Sequence, residues 1–301
     1  MSFGPGEIRR LMGEHGLRPS KALGQHFVAD PNTIRRIVRL AGLDDSSRVV
    51  EIGAGLGSLT VALARAASQV VAVEVDRHLV PVLASIVGSH PNVQVVEADG
   101  LRLDWGALLG HGSGPWTLVA NLPYNVATPI VLRALEEAPE VRCMLVMVQR
   151  EVAERLAAAP GDRAYGGVSV KVAYWAHASV LGLVPPTVFV PRPSVESALV
   201  RIDRLGAPAV APELVSYERL CTVVNAGFGQ RRKMLRRSLA GVVPPEAFEI
   251  AGVAPTARAE ELDVTRWGVL AAVPQAPAPE PHTAPVHPDA SDASDAEHTP
   301  R

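Results

Sequence analysis

The sequence predicts an α/β fold built on a doubly wound, mostly parallel sheet, followed by a small all-helical domain. Three observations carry this. Short apolar runs rich in valine and isoleucine alternate with helical patterns from residue 48 to about residue 205, as β–α–β units do. A glycine-rich turn joins the first of these runs to a helical segment. Past residue 212 the strand-like runs stop and only short helical patterns remain.

Along the chain, residues 1–17 read as an N-terminal extension. Pro31-Asn32-Thr33 opens a helix that runs to Ala41, with Asp30 as its N-cap. Val49-Val50-Glu51-Ile52 is a buried strand, 53–57 its turn, and 58–64 the helix that follows. Val70-Val71-Ala72-Val73 and Val93-Gln94-Val95-Val96 are the next strands, ending in Glu74-Val75-Asp76 and Glu97-Ala98-Asp99. The run 116–120 is another strand, ending in Asn121-Leu122-Pro123-Tyr124 ahead of a helix. Segments 168–176 and 198–202 are expected to close the sheet as an antiparallel pair at its edge. Residues 206–212 are a linker, and 217–226, 231–239, 246–250 and 265–273 are short helices. The expected organisation is an extension over 1–17, an α/β domain over 18–205, a helical domain over 206–273 and a disordered tail over 274–301. That tail holds seven prolines and no aromatic residue, too little apolar surface to offset the entropy of ordering it.

Composition narrows the function classes. At 301 residues and 48% hydrophobic, the chain can bury one large core and a smaller one. Cys143 and Cys221 make no disulfide framework, and no metal-ligand cluster accompanies them, so no metal is expected. The N-terminus lacks an apolar signal core, and no apolar run reaches the ~18 residues of a membrane span. A cytoplasmic location with no membrane partner is expected. The net charge of −2 hides an asymmetry. The tail carries Glu280, Asp289, Asp292, Asp295 and Glu297 against Arg301, which leaves 28 basic and 26 acidic residues elsewhere. The cations cluster: Arg35, Arg36 and Arg39 on one predicted helix, Arg231, Arg232, Lys233, Arg236 and Arg237 on another. Five cations in seven residues exceed what solubility requires and suit phosphate contacts.

The chemistry gathers at the strand ends. Gly53, Gly55 and Gly57 let the backbone turn tightly against a ligand, though in a spacing that is not the six-residue dinucleotide form. Glu74, about twenty residues on, suits a ribose diol, and Asp99 suits an adenine amino group. Asn121 answers a different problem. The N6 amine of adenine is a poor nucleophile because its lone pair is delocalised into the ring. An Asn121 amide oxygen and the Leu122 or Pro123 carbonyl could accept its two hydrogens and localise that pair. Tyr124 would stack on the base, worth ~1–3 kcal/mol. Together these strand ends form the rim of an S-adenosylmethionine-dependent methyltransferase acting on a nucleic-acid base.

With these motifs in place, the chain resembles the ribosomal RNA adenine N6,N6-dimethyltransferases of the small subunit. The resemblance covers residues 18–270 and rests on Leu23-Gly24-Gln25-His26-Phe27-Val28, the 51–57 loop, the two acidic strand ends and Asn121-Leu122-Pro123-Tyr124. It continues through Gln149-Arg150-Glu151, Ala164-Tyr165-Gly166, the segment 189–197 and Phe228-Gly229-Gln230-Arg231-Arg232-Lys233. It implies cofactor contacts from His26, Val28, Gly53, Glu74, Asp99 and Asn121; His26 stands where the family has Asn. It implies a monomer that dimethylates two adjacent adenosines in the 3′-terminal hairpin of 16S rRNA, within a 30S-type particle. RNA contacts are expected from Arg231, Arg232, Lys233, Arg236 and Arg237. Phe189 is either a second stacking platform or a loop anchor. Two rivals share the fold: methyltransferases of 23S rRNA that confer macrolide resistance, and non-catalytic relatives that became mitochondrial transcription factors. Asn125-Val126-Ala127-Thr128-Pro129 after the Asn121 motif favours the small-subunit enzymes over the first. The intact glycine loop and acids argue against the second.

Overall fold

A computed structural model describes residues 3–20, 22–112 and 114–273. The tail 274–301, where the sequence predicts disorder, lies outside them. In chain order the elements begin with α1 (Pro5–Glu14), β1 (Phe27–Val28), α2 (Pro31–Ala41), β2 (Arg48–Ile52), α3 (Ser58–Ala64) and β3 (Gln69–Glu74). Next come α4 (Val80–Val87), β4 (Val93–Glu97), α5 (Trp105–Leu109), β5 (Trp116–Asn121), α6 (Ala127–Glu137) and β6 (Val141–Gln149). Then follow α7 (Arg150–Ala157), α8 (Gly167–Trp175), β7 (Ala176–Val184), β8 (Phe189–Val190) and β9 (Ser197–Arg204). The C-terminal part is helical: α9 (Tyr217–Gly229), α10 (Leu235–Ser238), α11 (Glu246–Ile250) and α12 (Val264–Ala272).

A seven-stranded sheet runs β4-β3-β2-β5-β6-β9-β7. Only β9 opposes the others, pairing antiparallel with both β6 and β7. Alternate residues of each strand feed two cores. Val50 and Ile52 of β2 pack with β5, β6, α5 and α6 on one face, while Val49 packs with α2 and α3 on the other. Burial on both faces explains why these strands read as continuous apolar runs rather than alternating ones. The order reverses between β2 and β5, so their C-terminal ends flank a crevice, where open α/β sheets bind ligands. Gly53 follows one of these strands and Asn121 ends the other.

Asp30 caps α2 as expected, its carboxylate accepting from Thr33 N. Two expectations fail. Segment 168–176 is not a strand: nearly all of it is α8, and the edge strand is β7 just after it. Val168, Val170, Val172 and Tyr174 alternate with smaller or polar residues in a β-like way. The helix is apolar all round because it lies between two cores. Val172 packs under the sheet, while Val170 and Tyr174 pack in the C-terminal helical core. The basic run is likewise not one helix. Residues 231–233 form a turn, and α10 starts only at Leu235. Gln230 leaves helical geometry at φ −127° and ψ 50°, and three adjacent cations at a helix N-terminus oppose its dipole. Within the extension, Phe3 and the α1 residues Ile8 and Leu11 pack against Phe27, Leu56 and Leu79.

The C-terminal helices enclose their own core around Trp267, Leu220, Val224 and Leu235. It recruits Tyr165 and Tyr174 from the α/β part, and the Tyr165 hydroxyl donates to the Leu262 carbonyl at 2.7 Å. Among the described residues no helix is long and apolar enough to cross a membrane.

Candidate active site

The crevice between the ends of β2 and β5 is lined by the glycine loop, Glu51, Glu74, Val75, residues 23–28 and residues 121–124. Gly53 and Gly55 hold φ of 78° and 59°, conformations that strain any residue with a side chain. At Gly55 a Cβ would also sit 3.0 Å from the Phe27 ring, which leans over the loop from β1. Residues 24–28 thus roof the crevice. Val28 is 3% exposed and pairs with Phe189 across the β1–β8 ladder, so it meets the crevice from a fixed backbone.

Glu74 stands at the floor. One carboxylate oxygen accepts from Gly55 N at 2.7 Å and the other from Asp76 N at 2.9 Å, so this acid shapes the glycine loop. Burial raises its pKa, against the pull of those two amides. Glu51, 2% exposed on β2, is more extreme. Its Oε2 has no hydrogen-bond partner, and burial, reinforced by the facing Glu74 charge, lifts the carboxyl to about 8. The Thr60 hydroxyl beside it works the other way, but Thr60 Oγ1 is itself buried without a partner.

At the opposite wall Asn121 is held by its own amide. Nδ2 donates to the His26 carbonyl at 2.8 Å. That fixes which end of the side chain faces the crevice: Oδ1 accepts no hydrogen bond among the described residues. Of the two neighbouring carbonyls, Pro123 O already accepts from Val126 N at 3.1 Å, whereas Leu122 O has no donor among the described residues. Tyr124 is half-buried, its hydroxyl 2.6 Å from Ser197 Oγ and its ring stacked on His26 at 5.4 Å between centroids.

Other expected site residues lie elsewhere. Asp99 does not line the crevice. Its carboxylate accepts from Leu101 N at 2.9 Å in the turn after β4, with Arg102 Nε at 3.9 Å. Ala98 N bonds Glu74 O, so Asp99 follows the strand end next to Glu74, beyond the 44% exposed Val75. Phe189 is 3% exposed in the core beneath β1, the loop-anchor alternative, and offers no free ring face. The five cations near 231–237 are all exposed. Arg231, however, is spent internally, with Nε 2.8 Å from Glu260 and Nη2 donating to the Arg163 carbonyl at 2.9 Å. Cys143 and Cys221 are free thiols, and burial pushes Cys143 up to about 11. Among the described residues no cluster of His, Cys, Asp or Glu could hold a metal ion.

A family model for ribosomal RNA adenine dimethylase matches residues 16–272. The chain belongs to this family. The ribosomal RNA small subunit methyltransferase A of Cutibacterium acnes is 46% identical, over 90% of this chain and 93% of its own length. Its counterpart in Thermobifida fusca is 45% identical over 89% of this chain and 94% of its own. Among solved structures, the 23S rRNA methyltransferase ErmE is more distant, 28% identical with a TM-score of 0.65 over 81% of this chain and 98% of its own. A dimethyladenosine transferase from Plasmodium falciparum shares the fold, with a TM-score of 0.70 at 22% identity over 81% of this chain and 96% of its own.

Within this dimethylase site, sequence reasoning missed Glu51, Gln25 and Ser197. An acid inside a valine run signals burial only if both faces of the strand are covered. Gln25 joins the roof to the floor: its amide donates to Asp76 at 2.9 Å and accepts from Ser20 N at 2.8 Å. Ser197 lies far along the chain from Tyr124, and only the position of β9 beside β6 brings them together.

Proposed function

We propose that this chain dimethylates N6 of two adjacent adenosines near the 3′ end of 16S rRNA, using S-adenosylmethionine. Membership of the adenine dimethylase family and curated relatives near 45% identity that act on the small subunit support the substrate class. The observation that carries the chemistry is the orientation of Asn121, whose Nδ2 is tied to the His26 carbonyl and whose Oδ1 is left to accept.

The crevice suits the cofactor. Glu51 Oε2, buried without a partner, would find one in an α-ammonium group, and Glu74 lies where a ribose diol would be held. Val75 offers an apolar face to an adenine ring, with Asp99 beyond it for the exocyclic amine. When bound, S-adenosylmethionine supplies an electrophilic methyl group. The protein contributes position and lone-pair localisation. The target adenosine is turned out of its RNA context into the site. Asn121 Oδ1 and Leu122 O would accept its N6 hydrogens and so localise the lone pair of the nitrogen. Tyr124 supplies the stacking face. The amine proton leaves to solvent, so no side chain acts as a strong base.

The exposed cations Arg232, Lys233, Arg236 and Arg237 contact phosphates of the particle, and Arg231 supports the turn that presents them. Residues 18–205 form the catalytic domain and 206–273 an RNA-binding domain. The enzyme works as a cytoplasmic monomer on a 30S-type particle. The test is direct. Purified protein, labelled cofactor and undermethylated 30S particles should give dimethyladenosine in the 3′-terminal fragment of 16S rRNA by mass spectrometry. Transfer to 23S rRNA instead would overturn the assignment.

A further inference from the structure

His26 works on both walls of the site with different atoms. Its carbonyl holds Asn121, while its imidazole reaches the Pro191 carbonyl and the Tyr124 ring. Nδ1 lies 2.8 Å from the Pro191 carbonyl oxygen, and the ring stacks on Tyr124 at 28° between planes. A carbonyl can only accept, so Nδ1 carries the hydrogen and donates it. On this side lies a second cavity of about 360 Å³, bounded by Ser20, Gln149, Arg192 and Ser194. His26 and Tyr124 line both cavities and form the partition between them. Tyr124 is therefore held twice: its hydroxyl on Ser197, which is fully buried on β9, and its ring on His26.

We propose that His26 is a positioning residue on the substrate side, setting the pitch of the Tyr124 ring and tying it to the Pro191–Val195 wall. This rests on the adenine dimethylase reading and deepens it, since the base stacks on the ring that His26 orients. Two observations carry it. Nδ1 is engaged by Pro191, which lines the second cavity and not the first, and the ring is in aromatic contact with Tyr124. Asn at this position could reach one polar partner but could not stack.

The test compares His26→Ala, His26→Asn and His26→Phe in the full chain, each checked for an unchanged melting temperature. Two quantities are read: cofactor Kd by calorimetry, and single-turnover methyl transfer to undermethylated 30S particles at saturating RNA. In His26→Ala and His26→Asn the transfer rate should fall roughly three- to tenfold, the size of one aromatic pair's contribution, with cofactor Kd and the KM for particles unmoved. His26→Phe keeps the stack without the Nδ1 donor and should recover most of the rate. The proposal is overturned if Ala and Asn transfer at the wild-type rate. It is equally overturned if Ala weakens cofactor binding and Asn, not Phe, restores it, for then the side chain is a cofactor ligand. A wild type that methylates no small-subunit RNA would sink the dimethylase reading and this proposal with it, an outcome distinct from active wild type with indifferent variants.

Discussion

Glu51 allows a quantitative test on the ligand-free protein. Its carboxyl is lifted from 4.5 to about 8 by burial and by Glu74 facing it. The unfolded chain would release this proton near the ordinary value, the folded chain only near pH 8. The folded state thus holds an extra proton between those limits, and stability falls as pH rises through them. About three and a half pH units at ~1.36 kcal/mol each set a ceiling on the order of 4–5 kcal/mol, most of it spent between pH 5 and pH 8. Water penetration and side-chain relaxation reduce that figure, because buried groups behave as if in an effective dielectric of about 20. A loss of ~2 kcal/mol is still roughly 4–8 °C in Tm for a chain of this size.

Glu51→Gln keeps the shape and removes the titration. Thermal melts of both proteins without cofactor, from pH 5 to pH 8, isolate this group, since Glu74 is raised in the same direction and is common to both. The wild type should lose Tm relative to the variant as pH rises, with the curves converging toward pH 5. Parallel curves would show that Glu51 titrates normally and that the burial argument is wrong. Cofactor should act oppositely on the two. A cationic group beside Oε2 favours the ionised carboxylate, so Glu51→Gln should bind S-adenosylmethionine more weakly at pH 8 while melting higher without it.

Asn121→Ala should leave cofactor Kd within a few-fold of wild type and cut single-turnover transfer at least 100-fold; near-normal transfer would refute the lone-pair role. Glu74→Ala should reverse this, weakening cofactor binding roughly ten- to 100-fold, the ~1.5–3 kcal/mol of a charged hydrogen bond, and unchanged Kd by calorimetry would remove it as the ribose ligand. Neutralising Arg232 and Lys233 together should weaken particle binding and flatten its log–log salt dependence by roughly one to two units of slope, with cofactor Kd fixed. Arg231→Ala should instead move the slope little and lower Tm, because its guanidinium already serves Glu260 and the Arg163 carbonyl; a full unit of slope would show that it contacts RNA after all.

These tests divide along a line already visible in what the residues revealed. The strands beside the crevice were legible because each is an apolar run buried on both faces, with its candidate site residue at or just past its C-terminal end. Gly53, Glu74 and Asn121 could be placed from that rule alone. The failures share a cause: each feature depends on a neighbour distant in the chain. Segment 168–176 carries a strand-like alternation, yet it is a helix because two cores meet around it. The basic run looks like a helix until Leu235 N bonds Ala257 O and α10 begins beyond the clustered charge. The choice between the two readings of Phe189 has the same dependence, because pairing of β8 with β1 turns the ring into the core. The same dependence explains His26 and Glu51. Neither position announces a role, because one needs Tyr124 and Pro191 brought beside it and the other needs Glu74 at the end of the adjoining β3. A residue's offset from a strand end therefore identifies what can touch a ligand, while the sheet order decides which side chains tune that contact. Substitutions of the first kind should abolish function, and those of the second should shift a rate or a pH profile.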